Sequence, residues 1–251
     1  TATRAAGAGA RSTLNAAVAE QLLDFKAAVD KELATGKTLQ VAVMDTLKPI
    51  IASVIDTVCF DGNGYTDEWK AEAARRGLDT ENSVPEMFKE FLKPASVEMF
   101  SRTGVYSEKE LEARNEVKWE TYAKKIQIEA RVMVRMSINH IIPAAIAYKA
   151  SLLKEVSLYD KVYDDTEGCA TELAILDDIT RYVEEVRQRA RQVEDARVEA
   201  DTIEDAYARA RAFSDIANML FALRKPIDAL EEVVDDKLWP LPKYRELLFI
   251  S

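Results

Sequence analysis

The chain has 251 residues, 48% of them hydrophobic and 31% charged, with a formal net charge of −10. So acidic a balance argues against nucleic acid, which needs a positive surface to displace counterions from phosphates, and against anionic membranes. No run of about 18 apolar residues exists, so nothing in the sequence spans a bilayer, and only 8 Gly and 7 Pro punctuate the chain, which implies long elements, helices rather than many short strands.

From Thr1 to Ala19 there is no acidic residue, and Ala, Gly, Ser, Thr, Arg4 and Arg11 dominate. Such a start has the composition of an organellar transit peptide, or is simply the leading edge of the first helix. That helix is expected over 13–35, with Leu14, Val18, Leu22, Leu23, Phe25 and Val29 on one side and Gly36 as its stop. A second helix is expected from Leu39 to Ile55; it is the more apolar of the two, which predicts burial. The segment Thr57 to Tyr65 breaks the pattern, because Gly62-Asn63-Gly64 offers residues able to take positive φ in a tight turn. Thr66 caps a short helix ending at Gly77. Ser83-Val84-Pro85-Glu86 reads as a capping box opening another helix. Pro94 and Gly104 punctuate the stretch beyond it.

From Ser107 the character changes. Ser107-Glu108-Lys109-Glu110 is a second capping box, and its helix runs to at least Ile142, with Trp119, Tyr122, Ile126, Met133 and Met136 at three- and four-residue spacing. Pro143 lacks a backbone donor and should kink the helix, which resumes through Ala150 and Leu153. Leu176, Ile179, Val183, Val186, Ala190 and Val193 form a heptad seam. After a break near Asp201-Thr202, Phe213, Ile216, Leu220, Leu223, Ile227, Leu230 and Val234 repeat it, with Pro226 inside the last helix. Two such helices make an antiparallel hairpin that needs a third surface, and the 107–155 helix supplies it. The apolar tail from Leu238 to Phe249 would aggregate if bare, so it should dock on the bundle or on a neighbouring subunit. The expected fold is all-α. Residues 107–251 form an elongated bundle of long antiparallel helices, a hairpin plus a kinked long helix, with a smaller group of helices and turns over 1–106.

Candidate chemistry is thin. His140 is the only histidine and lies on an apolar stretch, the setting of a satisfied core or interface side chain rather than a ligand. Gly62-Asn63-Gly64 lacks the residues of a phosphate loop. Asp164-Asp165, Asp177-Asp178 and Asp235-Asp236 are adjacent pairs, and neighbours on a helix point about 100° apart, so they do not converge on one ion. Arg181, Arg187, Arg189, Arg191 and Arg197 interleave with Glu184, Glu185, Glu194 and Asp195, the pattern of ion pairing along a solvated face. Cys59 and Cys169 fit no metal spacing and suit free thiols in a reducing, intracellular compartment. No catalytic, cofactor-binding or metal-ligating residue is singled out, and no cofactor is expected.

Four segments carry a resemblance. Phe60-Asp61-Gly62-Asn63-Gly64-Tyr65-Thr66-Asp67-Glu68-Trp69 with Arg75-Arg76-Gly77-Leu78, the long YAKKIQIEARVMVRMSINHIIPAAIAY from Tyr122 to Tyr148, the terminal LWPLPKYRELLF, and Ser12-Thr13-Leu14-Asn15-Ala16-Ala17-Val18-Ala19-Glu20 resemble the C-terminal portion of type III glutamine synthetases, and they stand in that family's order along the chain. That family makes glutamine from glutamate, ammonia and ATP with glutamate-held divalent metals. The resemblance implies that its catalytic residues lie upstream of the position matching Ser12, so none transfers here. It implies instead a helical region that contributes to subunit packing in a large oligomer of two stacked rings. The expectation is a non-catalytic scaffold with protein partners, in a larger assembly or a homo-oligomer. The alternative is the C-terminal piece of an active ATP-dependent glutamate–ammonia ligase.

Overall fold

A computed structural model describes residues 3–81 and 83–248, and among these there are helices and no strand. The fold is all-α. Two compact units divide the chain, Thr1–Asn115 and Glu116–Ser251.

In the first unit, α1 (Thr3–Leu33) and α2 (Leu39–Val54) pack on each other across a turn. Gly36 at φ 87° makes that turn, a conformation glycine takes without strain. Lys37 ties the two helices together, donating to Glu32 at 2.6 Å and Asp45 at 2.8 Å. Its ammonium is pushed up to about 12 by the hydrogen bonds to Asp45 and Glu32. Helix α1 begins at Thr3, well before the expected Thr13. Its expected apolar stripe is covered only in part: Val29 is buried and Phe25 half-buried, whereas Leu14, Val18, Leu22 and Leu23 are exposed and Ala16 is buried instead. Helix α2 is likewise not buried as a whole. Ala42 and Thr46 are its enclosed residues, because these small side chains one turn apart are the ones that face a neighbour. Pro94 opens α5 (Pro94–Arg102), which packs on α1. Arg102 donates to Glu20 at 2.5 Å and Asp24 at 2.9 Å, and Ala16, Phe100 and Leu111 close a small core with Phe91 and Tyr106.

Between these lie α3 (Asp67–Arg75) and α4 (Val84–Lys89). Thr66 caps α3 as expected, its hydroxyl accepting from Trp69 N–H at 3.2 Å. Ser83 does not cap α4 with its side chain. The Ser83 amide, which a capping box would direct to Glu86, instead donates to Glu81 Oε1 at 2.7 Å. At Ser107 the box does form: the Ser107 amide donates to Glu110 Oε2 at 2.8 Å and the Glu110 amide donates back to Ser107 Oγ at 3.4 Å. It opens α6 (Glu108–Met136).

The second unit is built on α7 (Ile142–Tyr163), α8 (Ala170–Asp201) and α9 (Ala206–Val233), with the C-terminal part of α6. Helix α6 does not break at Pro143. It passes through a π-helical turn, Ser137–Ile141, in which Ile142 N–H reaches back five residues to Ser137 C=O, and Pro143 then falls in the first turn of α7, where a missing N–H costs nothing. The heptad seams pack as read: Leu176, Ile179, Val186, Ala190 and Val193 of α8 and Phe213, Ile216, Leu223, Ile227 and Leu230 of α9 are buried together, with Val183 and Leu220 at the edge. Asp205 caps α9 by accepting from Ala208 N–H at 2.7 Å. Helices α6 and α7 run antiparallel to α8, since Gln127 bonds Asp201 at 2.6 Å and Lys149 bonds Thr180 at 2.6 Å. The tail docks in part. Trp239 is buried and Leu241 packs on the core, while Leu247 and Leu248 of α10 (Tyr244–Leu248) are exposed; Phe249 lies outside the described residues.

Candidate functional site

The segment before α3 folds into an aromatic knot. The Phe60 and Trp69 rings stack at 4.0 Å with an interplanar angle of 22°, and the Arg76 guanidinium sits 5.5 Å from the Trp69 ring centre. Arg76 also donates to Cys59 C=O at 2.9 Å and, through Nε, to Glu72 at 2.6 Å. Neither Gly62 nor Gly64 takes a positive φ, contrary to the expectation for the turn. Gly62 serves another need: a Cβ there would stand 2.7 Å from Phe60 Cζ, so the missing side chain lets the ring fold back onto Trp69. The turn is held by Asn63, whose Oδ1 accepts from Tyr65 N–H at 3.1 Å. Arg75 and Arg76, bonding to Glu72 from both sides, hold its carboxyl down to about 2. These polar atoms are bonded to one another.

The remaining candidates are scattered. His140 is exposed on the π turn, so of the expected core or interface setting the core is ruled out: Ser137 and Ile141, not His140, are the buried residues of the turn. Cys59 is exposed and Cys169 buried, both unbridged, and burial pushes the Cys169 thiol up. Each acidic pair is engaged locally. Asp165 accepts from Glu167 N–H at 3.0 Å, Asp178 pairs with Arg181 at 2.5 Å, Asp235 accepts from Lys237 N–H at 2.8 Å, and Asp236 bonds Lys243. The charges of α8 pair along the helix, Arg189 with Glu185 at 2.6 Å and Arg197 with Glu194 at 2.7 Å. Among the described residues, no three His, Cys, Asp or Glu side chains are placed to hold a metal ion. No helix among them is long and apolar enough to cross a membrane.

One concave feature in the second unit was not legible from the sequence. A groove of about 430 Å³ runs between the C-terminal half of α6 with its π turn and the C-terminal half of α9. Met133, Met136, Ile141, Ile227 and Leu241 line it, with Val132 and Ile128 at its lip. Its charged residues are Glu129, Asp228, Glu231 and Arg224, the last bonded to Asp228 at 3.2 Å. An apolar channel with charge only at the margins is suited to binding, not to moving a proton or bond.

Comparison with known proteins identifies what this architecture is like. Residues 42–159 match the family described as the glutamine synthetase C-terminal domain. The chain is 38% identical over 256 residues to a glutamine synthetase of Bacteroides fragilis, an alignment that takes in 98% of this chain and 35% of the relative. It is 30% identical to a glutamine synthetase of Butyrivibrio fibrisolvens over 86% of this chain and 31% of that protein. Against a type-3 glutamine synthetase of Dictyostelium discoideum the identity is 27%, over 94% of this chain and 32% of the relative. The chain thus spans about a third of the length of the curated relatives it matches. These matches bear out the resemblance drawn from the motifs, to the C-terminal portion of a type III glutamine synthetase.

Proposed function

We propose that this chain, similar to the C-terminal portion of a type III glutamine synthetase, works as a non-catalytic helical scaffold packed against other protein chains in a larger assembly. The observation that carries this reading is the outer face of α2. Val41, Met44, Ile51 and Ile55 lie along one side of this helix and its end, each between 46% and 51% exposed. Large apolar side chains gain about 1.5–3 kcal/mol each on full burial, so a half-exposed row of them leaves several kcal/mol unrealised until something covers it. The polar groups support the same reading, since among the described residues no three His, Cys, Asp or Glu side chains converge and the acidic pairs and the α8 charges make local bonds. The assembly is expected to keep its parts without a metal or nucleotide bound to this chain.

The test is mass. The chain isolated from its native source should travel in a complex heavier than its own 28.2 kDa, and Met44→Lys with Ile51→Lys should release it while leaving helical circular dichroism unchanged. A lone monomer in the native extract would sink the proposal.

A second reading is favoured by how the relatives align, with nearly the whole of this chain matched to about a third of each synthetase. On that reading the chain is the C-terminal piece of an ATP-dependent glutamate–ammonia ligase and works only beside the catalytic portion. Glutamine formation restored by adding this chain to a separately produced catalytic portion would establish it. Activity from the isolated chain with ATP and magnesium would overturn both readings.

A further inference from the structure

We propose that the groove between α6 and α9 is a docking site for a basic amphipathic helix of a different polypeptide. The inference rests on the assembly reading and names one surface and the chemistry of its partner. Two irregularities border the groove. The π turn Ser137–Ile141 lies on one wall, and Pro226, inside α9 beside Ile227, leaves one rung of the other wall's hydrogen-bond ladder without a donor. The groove's lining suits a helix. Met133 and Met136 are unbranched and pliable, able to adjust to the side chains that enter, and Val132 at the lip is 49% exposed although apolar.

The charges decide the occupant. Among the described lining residues, three carboxylates, Glu129, Asp228 and Glu231, meet a single cation, Arg224, and that guanidinium is already bonded to Asp228. The margin is therefore negative, on a chain whose formal net charge is −10. A second copy would bring a like-charged surface to it, which Coulomb repulsion disfavours. A helix with an apolar face at positions i, i+3, i+4 and i+7, flanked by Lys or Arg, satisfies both the channel and its edges.

A fluorescein-labelled amphipathic model helix of Leu and Lys, titrated with the full chain and read by anisotropy, tests this. The Leu/Lys helix should bind, and a Leu/Glu helix of the same pattern should not. Val132→Asp should weaken binding about tenfold or more, as should Glu129→Lys combined with Glu231→Lys. Asp177→Lys with Glu184→Lys, the same charge change placed on α8 outside the groove, should alter it less than about twofold. Equal loss in the control pair, or binding indifferent to Val132→Asp, would overturn the proposal. So would self-association in light scattering that Val132→Asp abolishes, because the occupant would then be a second copy. The assembly reading stands or falls separately, on the mass of the native complex.

Discussion

Helix α9 carries two phenylalanines in opposite circumstances, which isolates what packing contributes. Phe213 is 1% exposed among the seam residues, and Phe221, two helical turns on, is 71% exposed. Truncating Phe213 to Ala forfeits about 2 kcal/mol of transfer free energy for the ring. A residual cavity on the order of 80 Å³, at about 24 cal/mol per Å³, adds about 2 kcal/mol more. Phe221→Ala loses almost no burial and gains a few tenths of a kcal/mol in helix propensity, a gain common to both variants. The expected difference is therefore about 4 kcal/mol between two identical substitutions in one helix. Urea denaturation followed by circular dichroism reads it. With a slope of about 2 kcal/mol per M, the midpoint of Phe213→Ala should fall by about 2 M while that of Phe221→Ala stays put. Equal shifts, or a loss below about 1 kcal/mol for Phe213→Ala, would show that the α8–α9 seam is not what holds this unit together.

Two more outcomes come from the local geometry. Glu72 has its carboxyl lowered from 4.5 to about 2 by Arg75 and Arg76. Because the shift is downward, its contribution is fully present above pH 4.5 and is lost as pH falls from there toward about 2. An NMR titration of the Glu72 carboxyl should give a midpoint near 2, returning toward 4.5 in the Arg75→Gln, Arg76→Gln double variant; a wild-type midpoint at the ordinary value would refute the bonding. Asp205→Ala removes the acceptor for Ala208 N–H and should cost about 1 kcal/mol, a fall of roughly 2–4 °C in Tm by differential scanning calorimetry. Asp205→Asn should keep most of the stability, and an unchanged Tm in the Ala variant would mean that solvent caps α9 as well.

Periodicity and capping were the features readable in advance. The 3-4 alternation from Leu176 to Val193 and from Phe213 to Val234 names the buried seam almost residue for residue, because each helix there has a partner running alongside it. Thr66, Ser107 and Gly36 were legible because a cap or a left-handed residue depends only on its immediate neighbours. Helix α2 shows the limit. Its apolar content predicted burial, yet composition says nothing about which face finds a partner, and Ala42 and Thr46 hold that contact while Leu39 and Met44 face outward. Leu14 and Val18 of α1 misled in the same way. Ser83 does not cap with its side chain, and its amide goes to Glu81 just upstream, a competing acceptor that the four-residue motif does not include. The groove was illegible for a different reason: Met133 and Ile227 are far apart in the chain, and only the docking of α6 beside α9 brings them to one channel.

The π turn has a consequence for how this chain tolerates length changes. Inward-facing positions descend through Val134, Ser137, Ile141, Ala145 and Leu152, crossing Pro143 without a gap. The wider turn takes up one residue more than a regular helix would need over the same rise. Deleting a single residue from Ser137–Ile141 would let the hydrogen bonds close in the ordinary pattern, and the helix beyond would keep its orientation. The same deletion at Lys149, inside regular α-helix, has no such slack and would swing everything downstream by about 100° around the axis. Leu152 and Val156 would then rotate out of the core, and the polar flank of α7 would turn toward α8. The bulge is thus a reserve of register, a stretch that can lose a codon without turning the helix beyond it inside out.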